Sequence, residues 1–393
     1  MAFYNPSGSE AQLPTGVPRI PSPFAETRFE ASPLNRVEEQ GAPGSDWQIG
    51  QGHTVRQGYY SNSDASLSEG NGRWAKQYGV SIDATGNFIL KEKDAYGQNQ
   101  LYVNEIRDEN WKEGDGKAGL FQEFTDKEGR VVLKRTWNRK ADQSIEALST
   151  YYVYDNLGNL CYVLPPKSEA DSGMPGPDKQ NALCYQYRYD ERNRMSAKKI
   201  PGKGWEYLVY NQLDQVVASQ DAGQRKKNQW QVTKYDGLGR VIMTGLWNNG
   251  NTAIDPASLK ALVYAAPQYD SRTPGADYQI VSYPQNLNTP LTVSYYDNYN
   301  IPGLPSGYAR DGSEMIHSLP TATRTAVLNN PAHMLWSVNY YDDEGRVTKN
   351  ISQHYKGGTL SDGNYDETDN TYSFTDELLT STRHHKVNST EQV

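Results

Sequence analysis

One short pattern recurs along this chain and restricts the folds open to it. It consists of Asp or Asn, two free positions, a Gly, Asn or Asp, then Arg, Asn or Gln, then an apolar residue. Five of the copies carry a tyrosine directly before the first position: Tyr154, Tyr189, Tyr210, Tyr235 and Tyr341. The seven copies begin at Asp83, Asp126, Asp155, Asp190, Asn211, Asp236 and Asp342. Repetition of this kind predicts an array of similar supersecondary units.

Each copy has the chemistry of a β-hairpin corner. An Asp or Asn side chain accepts hydrogen bonds from backbone N–H groups just ahead of it and closes a turn. A Gly, Asn or Asp three residues later suits a positive φ, which other side chains resist. The apolar residue then enters the next strand. The predicted structural turn residues are Asp126, Gly129, Asp155, Gly158, Asp190, Asn193, Asp236, Gly239, Asp342 and Gly345.

The segments between the corners have the composition of strands. Residues 184–189 alternate with period two, and the chain's 29 tyrosines and 8 tryptophans favour strands with one apolar face. From Asp126 to Asp236 the corners are 29, 35, 21 and 25 residues apart, which suits hairpins with loops of unequal length. The predicted fold class is therefore mainly β, an antiparallel hairpin array forming a curved or spiral sheet.

The chain divides into five predicted segments. An interval of 106 residues separates Asp236 from Asp342, so an insertion is expected there. Asp255 followed by Pro256 predicts the start of a short helix within it. The segments are an extended Pro-rich stretch over 1–45, an N-terminal β module over 46–118, repeat hairpins over 119–245, the insertion over 246–335, and a further, truncated hairpin region over 336–393.

The motif Tyr-Asp-x-x-Gly-Arg with a following apolar residue resembles the signature of the bacterial YD-repeat or Rhs family. Residues 150–166, 32–37 and 108–111 are similar to the module that precedes such repeats in many cell-surface proteins. The resemblance covers most of the chain and rests on seven corners plus these flanking segments. It implies a β-shell, which in some members encloses a C-terminal toxin; other members are surface adhesion proteins.

This resemblance implies a structural, non-enzymatic role in a secreted or surface protein. We expect the chain to be a fragment whose partners are other segments of the same polypeptide and an enclosed effector domain. Its first residues, 1–6, lack the pattern of a signal peptide. The self-cleaving core segment of full members is not recognised in it, and Asp255-Pro256 is interpreted as a helix start rather than a cleavage site.

Composition and motifs argue against several other classes. The formal net charge is −8 and the longest basic run is Arg225-Lys226-Lys227, so no nucleic-acid partner is expected. No apolar stretch predicts membrane insertion. The sequence lacks nucleophile-elbow and phosphate-loop motifs, and its histidines lie without ligand spacing, so neither a cofactor nor a metal is predicted. A loose calcium loop at Asp362, Asn364 and Asp366 is disfavoured because its later positions do not fit.

Two alternatives to the structural role remain open in the sequence. The first is a glycan- or partner-binding adhesion module, with Trp111 and Trp230 as candidate carbohydrate-binding residues because aromatic faces stack on sugars. The second is a glycan-acting enzyme using paired carboxylates, which ranks lowest because charge clusters usually face solvent. Cys161 and Cys184 are interpreted as buried free thiols, with a disulfide as the alternative.

Overall fold

The structure is a computed structural model that describes residues 21–68, 72–83, 86–250, 252–310 and 312–391. The first part of the predicted Pro-rich segment, residues 1–20, lies outside the described residues. The chain forms two compact units, Met1–Lys203 and Gly204–Val393. The division between them falls inside the segment 119–245 that the sequence assigns to the first hairpins.

Unit 1 is an antiparallel sheet accompanied by a separate hairpin. Its sheet runs in the order β1-β2-β3-β6-β7-β8-β9-β10-β11-β12, and β4 pairs with β5. The described elements are β1 (Glu26–Phe29), β2 (Val37–Gly41), β3 (Val55–Ser61), β4 (Lys76–Ile82), β5 (Phe88–Ala95), β6 (Tyr102–Arg107), β7 (Leu120–Thr125), β8 (Val131–Arg139), β9 (Ile145–Tyr154), β10 (Leu160–Leu164), α1 (Pro177–Leu183), β11 (Tyr185–Tyr189) and β12 (Met195–Ile200).

The core of unit 1 lies between the sheet and the β4–β5 hairpin. Tyr78 of β4 meets Tyr151 of β9 edge to face, with the ring centroids 5.3 Å apart. Phe124 and Val153 are almost fully buried in the same cluster. Arg135 is completely buried, and its guanidinium donates to the carbonyl oxygens of residues 72 and 74 and to the Asp171 carboxylate. A buried cation with this many acceptors anchors two connecting segments on the sheet.

The two cysteines lie in this core as free, buried thiols, as the sequence predicts. Burial raises the pKa of Cys161 to about 12 and that of Cys184 to about 11. Because the thiolate is the reactive form, burial disfavours reaction at both groups in the folded chain. Their contribution is packing.

Unit 2 is built from strands paired in sequence order from β13 to β23, all antiparallel. Helix α3 packs against β13. The described elements are β13 (Gly204–Tyr210), β14 (Val216–Gln220), α2 (Ala222–Arg225), β15 (Gln229–Tyr235), β16 (Val241–Asn248), α3 (Pro256–Ala265), β17 (Thr289–Tyr296), β18 (Pro320–Val327), β19 (Asn330–Tyr341), β20 (Val347–Gln353), β21 (Tyr365–Tyr372), β22 (Leu378–Val387) and β23 (Thr390–Glu391).

Connecting segments cover one face of the unit 2 sheet. Leu259 and Val263 of α3 bury Trp230, and Tyr308 from the β17–β18 connection packs with Tyr340 in a second cluster. A buried polar contact adds to this packing: the Lys234 ammonium donates to the backbone oxygen of residue 282 at 2.8 Å. The long insertion therefore supplies the second layer of the unit.

The mainly β fold class and the insertion helix are confirmed. The carboxylate of Asp255 accepts from the backbone N–H groups of residues 257 and 258, which caps α3 as the Asp-Pro pair predicts. The predicted extended Pro-rich segment contains a strand pair that the sequence analysis did not identify. Within it β1 and β2 pair antiparallel, with Glu26 opposite Gly41, because the segment from 26 to 29 contains no proline and offers free ladder donors.

Candidate functional site

The repeated corners from Asp126 onward lie along one edge of the sheet in each unit, whereas the Asp83 corner closes the separate β4–β5 hairpin. Along the chain, strand connections alternate between a corner and a connection of another kind. Successive strands are antiparallel, so connections of one kind return to the same edge. We call the edge that carries the motif corners the corner edge, and the other the connector edge. The connector edge of unit 2 carries α2, α3 and the 354–364 connection.

The corner at Asp236 shows the geometry of the motif. Its backbone N–H donates to the carbonyl oxygen of Arg240 at 3.0 Å, and Gly239 N–H donates back to the Asp236 carbonyl at 3.0 Å. The Asp236 Oδ1 atom accepts from the N–H groups of Leu238 and Arg240 at 3.0 and 2.9 Å. Gly239 has a φ of 81°, and the strand register shifts by one residue after Lys234. This is a type I turn closed by a left-handed residue and a bulge.

The other motif corners repeat these features. Oδ1 of the first residue accepts the backbone N–H of the residue four positions later in every copy. The residue three positions later always has a positive φ, which is the conformation expected from the spacing. The values of φ are 80° at Gly86, 81° at Gly129, 84° at Gly158, 58° at Asn193, 63° at Asp214, 81° at Gly239 and 80° at Gly345.

The fifth motif position ties the carboxylate down further. Arg194 Nε lies 2.8 Å from Asp190 Oδ2, and Arg346 Nε lies 2.7 Å from Asp342 Oδ2. Partial burial alone would raise the pKa of Asp190 and Asp342. The hydrogen bonds from the arginine side chains and backbone N–H groups outweigh burial, so the pKa of each carboxyl is lowered. These carboxylates stay ionised and fully engaged in their turns.

Neighbouring corners are linked to each other by tyrosine hydroxyls. At six corners the tyrosine directly before the corner donates its O–H to the carbonyl oxygen of the first strand residue after the preceding corner. The donor-acceptor pairs in the two units are Tyr154 to Val131 at 3.0 Å, Tyr189 to Leu160 at 2.9 Å, Tyr235 to Val216 at 2.9 Å, Tyr296 to Val241 at 2.8 Å, Tyr341 to Pro320 at 2.7 Å and Tyr372 to Val347 at 2.9 Å. We call this series the tyrosine ladder.

Sequence analysis missed two corners that the ladder includes. At Ser373 the hydroxyl replaces the carboxylate and accepts from the N–H of Glu377, while Asp376 takes the positive φ of 64°. At Asp297 the corner is expanded: its N–H donates to the carbonyl of Leu319, and residues 298–310 and 312–318 lie in the loop that it closes. A tyrosine precedes each of these residues, so a search that began from tyrosine would have found both.

Arg240 shows how one corner contacts the next. Its guanidinium donates to both oxygens of Asp297 at 2.9 and 2.7 Å, while Nε stays on Asp236. Its cationic group also lies 4.3 Å from the centre of the Tyr296 ring. The hydrogen bonds from Arg240 outweigh burial and lower the pKa of Asp297. The corner edge is therefore a continuous polar network as well as a series of turns.

The two candidate carbohydrate-binding residues lie in different surroundings. Trp230 is completely buried in the core of unit 2 and offers no face to a ligand, which corrects the expectation that it stacks on sugars. Trp111 is partly exposed, with its indole N–H donating to the Gly116 carbonyl and the Arg107 guanidinium 4.9 Å from the ring centre. Binding of sugars by Trp111 stays a prediction.

The three residues of the disfavoured calcium loop contact different groups and do not form one site. Asn364 Oδ1 accepts the backbone N–H of Asn388, and Asp362 Oδ1 accepts from Gln353. Asp366 instead lies beside two histidines, His354 and His385, at the connector edge of unit 2. This is the one group within the described ranges whose side chains can converge on a metal ion. No helix within those ranges is long and apolar enough to span a bilayer.

Among protein-family models, the match is confined to the first part of the chain. A family described as a domain of unknown function, DUF6443, matches residues 1–61. No curated protein matches the chain.

Solved structures of toxin complexes are similar to most of the chain. The crystal structure of TcdB2-TccC3 matches 96% of this chain and 20% of its own, with 14% identity and a TM-score of 0.32. The Photorhabdus luminescens Tc holotoxin pore matches 91% of this chain and 18% of its own, with 14% identity and a TM-score of 0.33. The chain thus spans about a fifth of the length of the first of these structures.

Proposed function

We propose that this chain is a structural segment of a large secreted or surface protein of the YD-repeat type. Its role is to build part of a β-shell that encloses or displays a C-terminal effector domain. The observation that carries the proposal is the tyrosine ladder, in which six hairpins are each tied to the preceding hairpin by the same hydrogen bond. A sheet in which neighbouring hairpins make the same contact can be lengthened by adding further hairpins of the same kind.

The state of the corner carboxylates supports a structural role over catalysis. Asp236 accepts two backbone N–H groups through Oδ1 and the Arg240 side chain through Oδ2. A general acid or base needs a carboxyl that can exchange protons with a substrate near neutral pH. Both oxygens of Asp236 are already occupied by hydrogen bonds within its own turn, so this carboxylate is a poor candidate for that chemistry.

The covered sheet faces support a wall rather than an open platform. In unit 1 the β4–β5 hairpin buries Phe124 and Tyr151, and in unit 2 the insertion buries Trp230 and Trp336 beneath connecting segments. One apolar face of the sheet in each unit is thus already covered. The sheet can then present its polar face without inviting aggregation.

Enclosure can be tested on the full-length protein that contains this segment. Electron microscopy of the purified protein is expected to show a closed particle with an internal volume. Limited proteolysis is expected to spare the C-terminal domain while the particle is intact and to degrade it after denaturation. An open, extended particle whose C-terminal domain is cleaved at the same rate in both states would contradict enclosure.

The adhesion alternative keeps one specific observation in its favour, the partial exposure of Trp111 beside Arg107. A glycan array probed with the chain distinguishes the two roles. Competable binding that disappears in Trp111→Ala, but persists in the matched variant Trp47→Ala, would favour adhesion. Absence of competable binding is the result expected from a wall segment.

A further inference from the structure

We propose that His354, Asp366 and His385 form a binding site for a divalent transition-metal ion of the zinc type at the connector edge of unit 2. The site is independent of the corners and of the shell role. Each of the three residues offers one ligand atom, and these atoms all lie within 4.8 Å of one another. All three side chains are partly buried, which holds them near each other while leaving access for an ion.

The sheet itself brings the three residues together. Asp366 of β21 and His385 of β22 are direct cross-strand partners, so their side chains point to the same face. His354 follows β20 directly, and its backbone N–H donates to the Asn364 carbonyl at 3.0 Å, which brings it beside β21. The residues are 12 and 19 positions apart along the chain. This explains why the search for ligand spacing in the sequence did not find them.

The geometry is close to what a metal requires. Asp366 Oδ1 lies 2.6 Å from His385 Nδ1, and the His354 and His385 rings are stacked with centroids 4.8 Å apart. Ligand atoms around a tetrahedral zinc ion are about 3.3 Å apart, given bonds of about 2.0–2.1 Å. Binding would require the Asp366–His385 contact to open from 2.6 Å to that separation and the two rings to turn so that their in-plane lone pairs converge on the ion. A zinc ion would replace the hydrogen bond between Asp366 and His385.

His354 has the outer contact that metal-bound histidines commonly use. Its Nε2 atom lies 3.2 Å from the Lys386 carbonyl oxygen. With Nε2–H donating to that oxygen, Nδ1 carries the lone pair that binds a metal. Ligating histidines usually donate their other ring N–H to a carboxylate or carbonyl in this way, which fixes the tautomer and the ring orientation.

The charges around the site leave room for a cation. Arg383 donates to Asp366 Oδ2 at 2.6 Å, and its side chain is 64% exposed, so solvent weakens its charge. The other oxygen, Oδ1, remains available to bind a metal ion. The Lys386 ammonium is held by Glu367 at 3.1 Å. Two imidazoles and one carboxylate suit zinc, and three protein ligands leave a further position open for water or a partner's side chain.

Metal titration of the full chain, purified without a histidine tag, tests the proposal. Zn²⁺ is added in competition with a chromogenic chelator, and Co²⁺ is added separately because its visible absorption reports on the ligand set. We expect one saturable equivalent of either ion. His354→Ala, His385→Ala and Asp366→Asn should each weaken Zn²⁺ binding by at least about tenfold and abolish the Co²⁺ band.

His384→Ala is the matched control. This adjacent histidine contacts Glu391, and its cross-strand partner is Glu367 rather than Asp366, so it does not belong to the proposed site. It should bind Zn²⁺ as the unchanged chain does. Three results would each overturn the proposal: no saturable binding, equal loss of binding in His384→Ala, or retained binding in the double variant His354→Ala/His385→Ala. If circular dichroism shows that the double variant is unfolded, the nearly isosteric Asp366→Asn decides: unchanged affinity in that variant overturns the proposal.

Discussion

The two edges of each sheet are built in different ways. At the corner edge, the motif corners use the same turn, the same positive-φ position and the same carboxylate or amide bonds. At the connector edge, the connections range from the short turn at 140–144 to the long connection between β16 and β17, which contains α3. Two glycines at this edge, Gly357 and Gly358, also have positive φ, but no motif surrounds them.

This difference separates two tasks. The corner edge sets the spacing of neighbouring hairpins, because the tyrosine ladder joins each of six corners to the one before it. The connector edge is free to vary in length, and it supplies the segments that cover the apolar face and the group at His354, Asp366 and His385. Regularity along one edge therefore permits variation along the other.

The largest contrast between the edges is expected from insertions. Gly-Ser inserted between Leu238 and Gly239 should lower the free energy of unfolding by about 3 kcal/mol, because several turn hydrogen bonds are lost together. The same dipeptide between Gly357 and Gly358 should lower it by less than about 1 kcal/mol, since lengthening an exposed loop has a small entropic effect. Urea unfolding of both variants measures the difference. Equal destabilisation at the two edges would contradict the division of tasks.

A smaller effect is expected where a corner glycine is replaced. Gly239→Val should cost about 1–3 kcal/mol, because a β-branched residue resists the φ of 81° found there. Gly307→Val is the control, since that glycine has an ordinary φ and a Cβ atom there would contact nothing within 4 Å. Thermal unfolding of the two variants checks the prediction, which would be wrong if both melted at the same temperature.

The tyrosine ladder can be tested by removing one hydroxyl. Tyr235→Phe should cost about 1 kcal/mol, because the Val216 carbonyl loses its donor at 2.9 Å. Tyr269→Phe, at an exposed position of the same unit, should be neutral. Hydrogen exchange followed by mass spectrometry should show faster exchange in β14 and β15 of Tyr235→Phe alone. Unchanged exchange would show that the hydroxyl does not couple the corners.

The smallest effect is a pH dependence of the corners. Asp190 and Asp342 have pKa values lowered by their arginine and backbone bonds, so the stability they contribute is present above the unfolded pKa of about 3.9. This contribution is lost as the pH falls below that value and the carboxyls become protonated. Asp190→Asn/Asp342→Asn should therefore show a weaker loss of stability between about pH 5 and pH 2 than the unchanged chain. Parallel pH profiles for the two proteins would contradict this linkage.

Local chemistry made the corners predictable from the sequence. Asp155 and Gly158 form their turn through bonds within five residues, so the pattern of side chains is enough to identify it. The corner at Ser373 was missed because a hydroxyl replaces the carboxylate while the backbone conformation stays the same. Substitution of one acceptor by another hides a turn from a motif but leaves its hydrogen bonds in place.

Burial was harder to predict than conformation. Trp230 and Trp111 were both candidates for stacking on sugars, yet one is buried beneath α3 and the other is partly exposed. The pairing of β1 with β2 was also missed, because prolines around them suggested a segment without ladder bonds. Which residues a distant segment covers depends on contacts between positions far apart in the chain.

By itself, the sequence determined the turns, the antiparallel hairpins and the capped helix at Asp255, because each follows from interactions among near neighbours. It left the pairing of Cys161 and Cys184 open, and the structure has them as two free thiols. Only the tertiary structure decided which face of the sheet is covered, how Arg240 reaches Asp297, and that His354, Asp366 and His385 meet. These contacts depend on strand register and on how connecting segments pack. Register and packing are properties of the whole sheet, and no local pattern of residues encodes them.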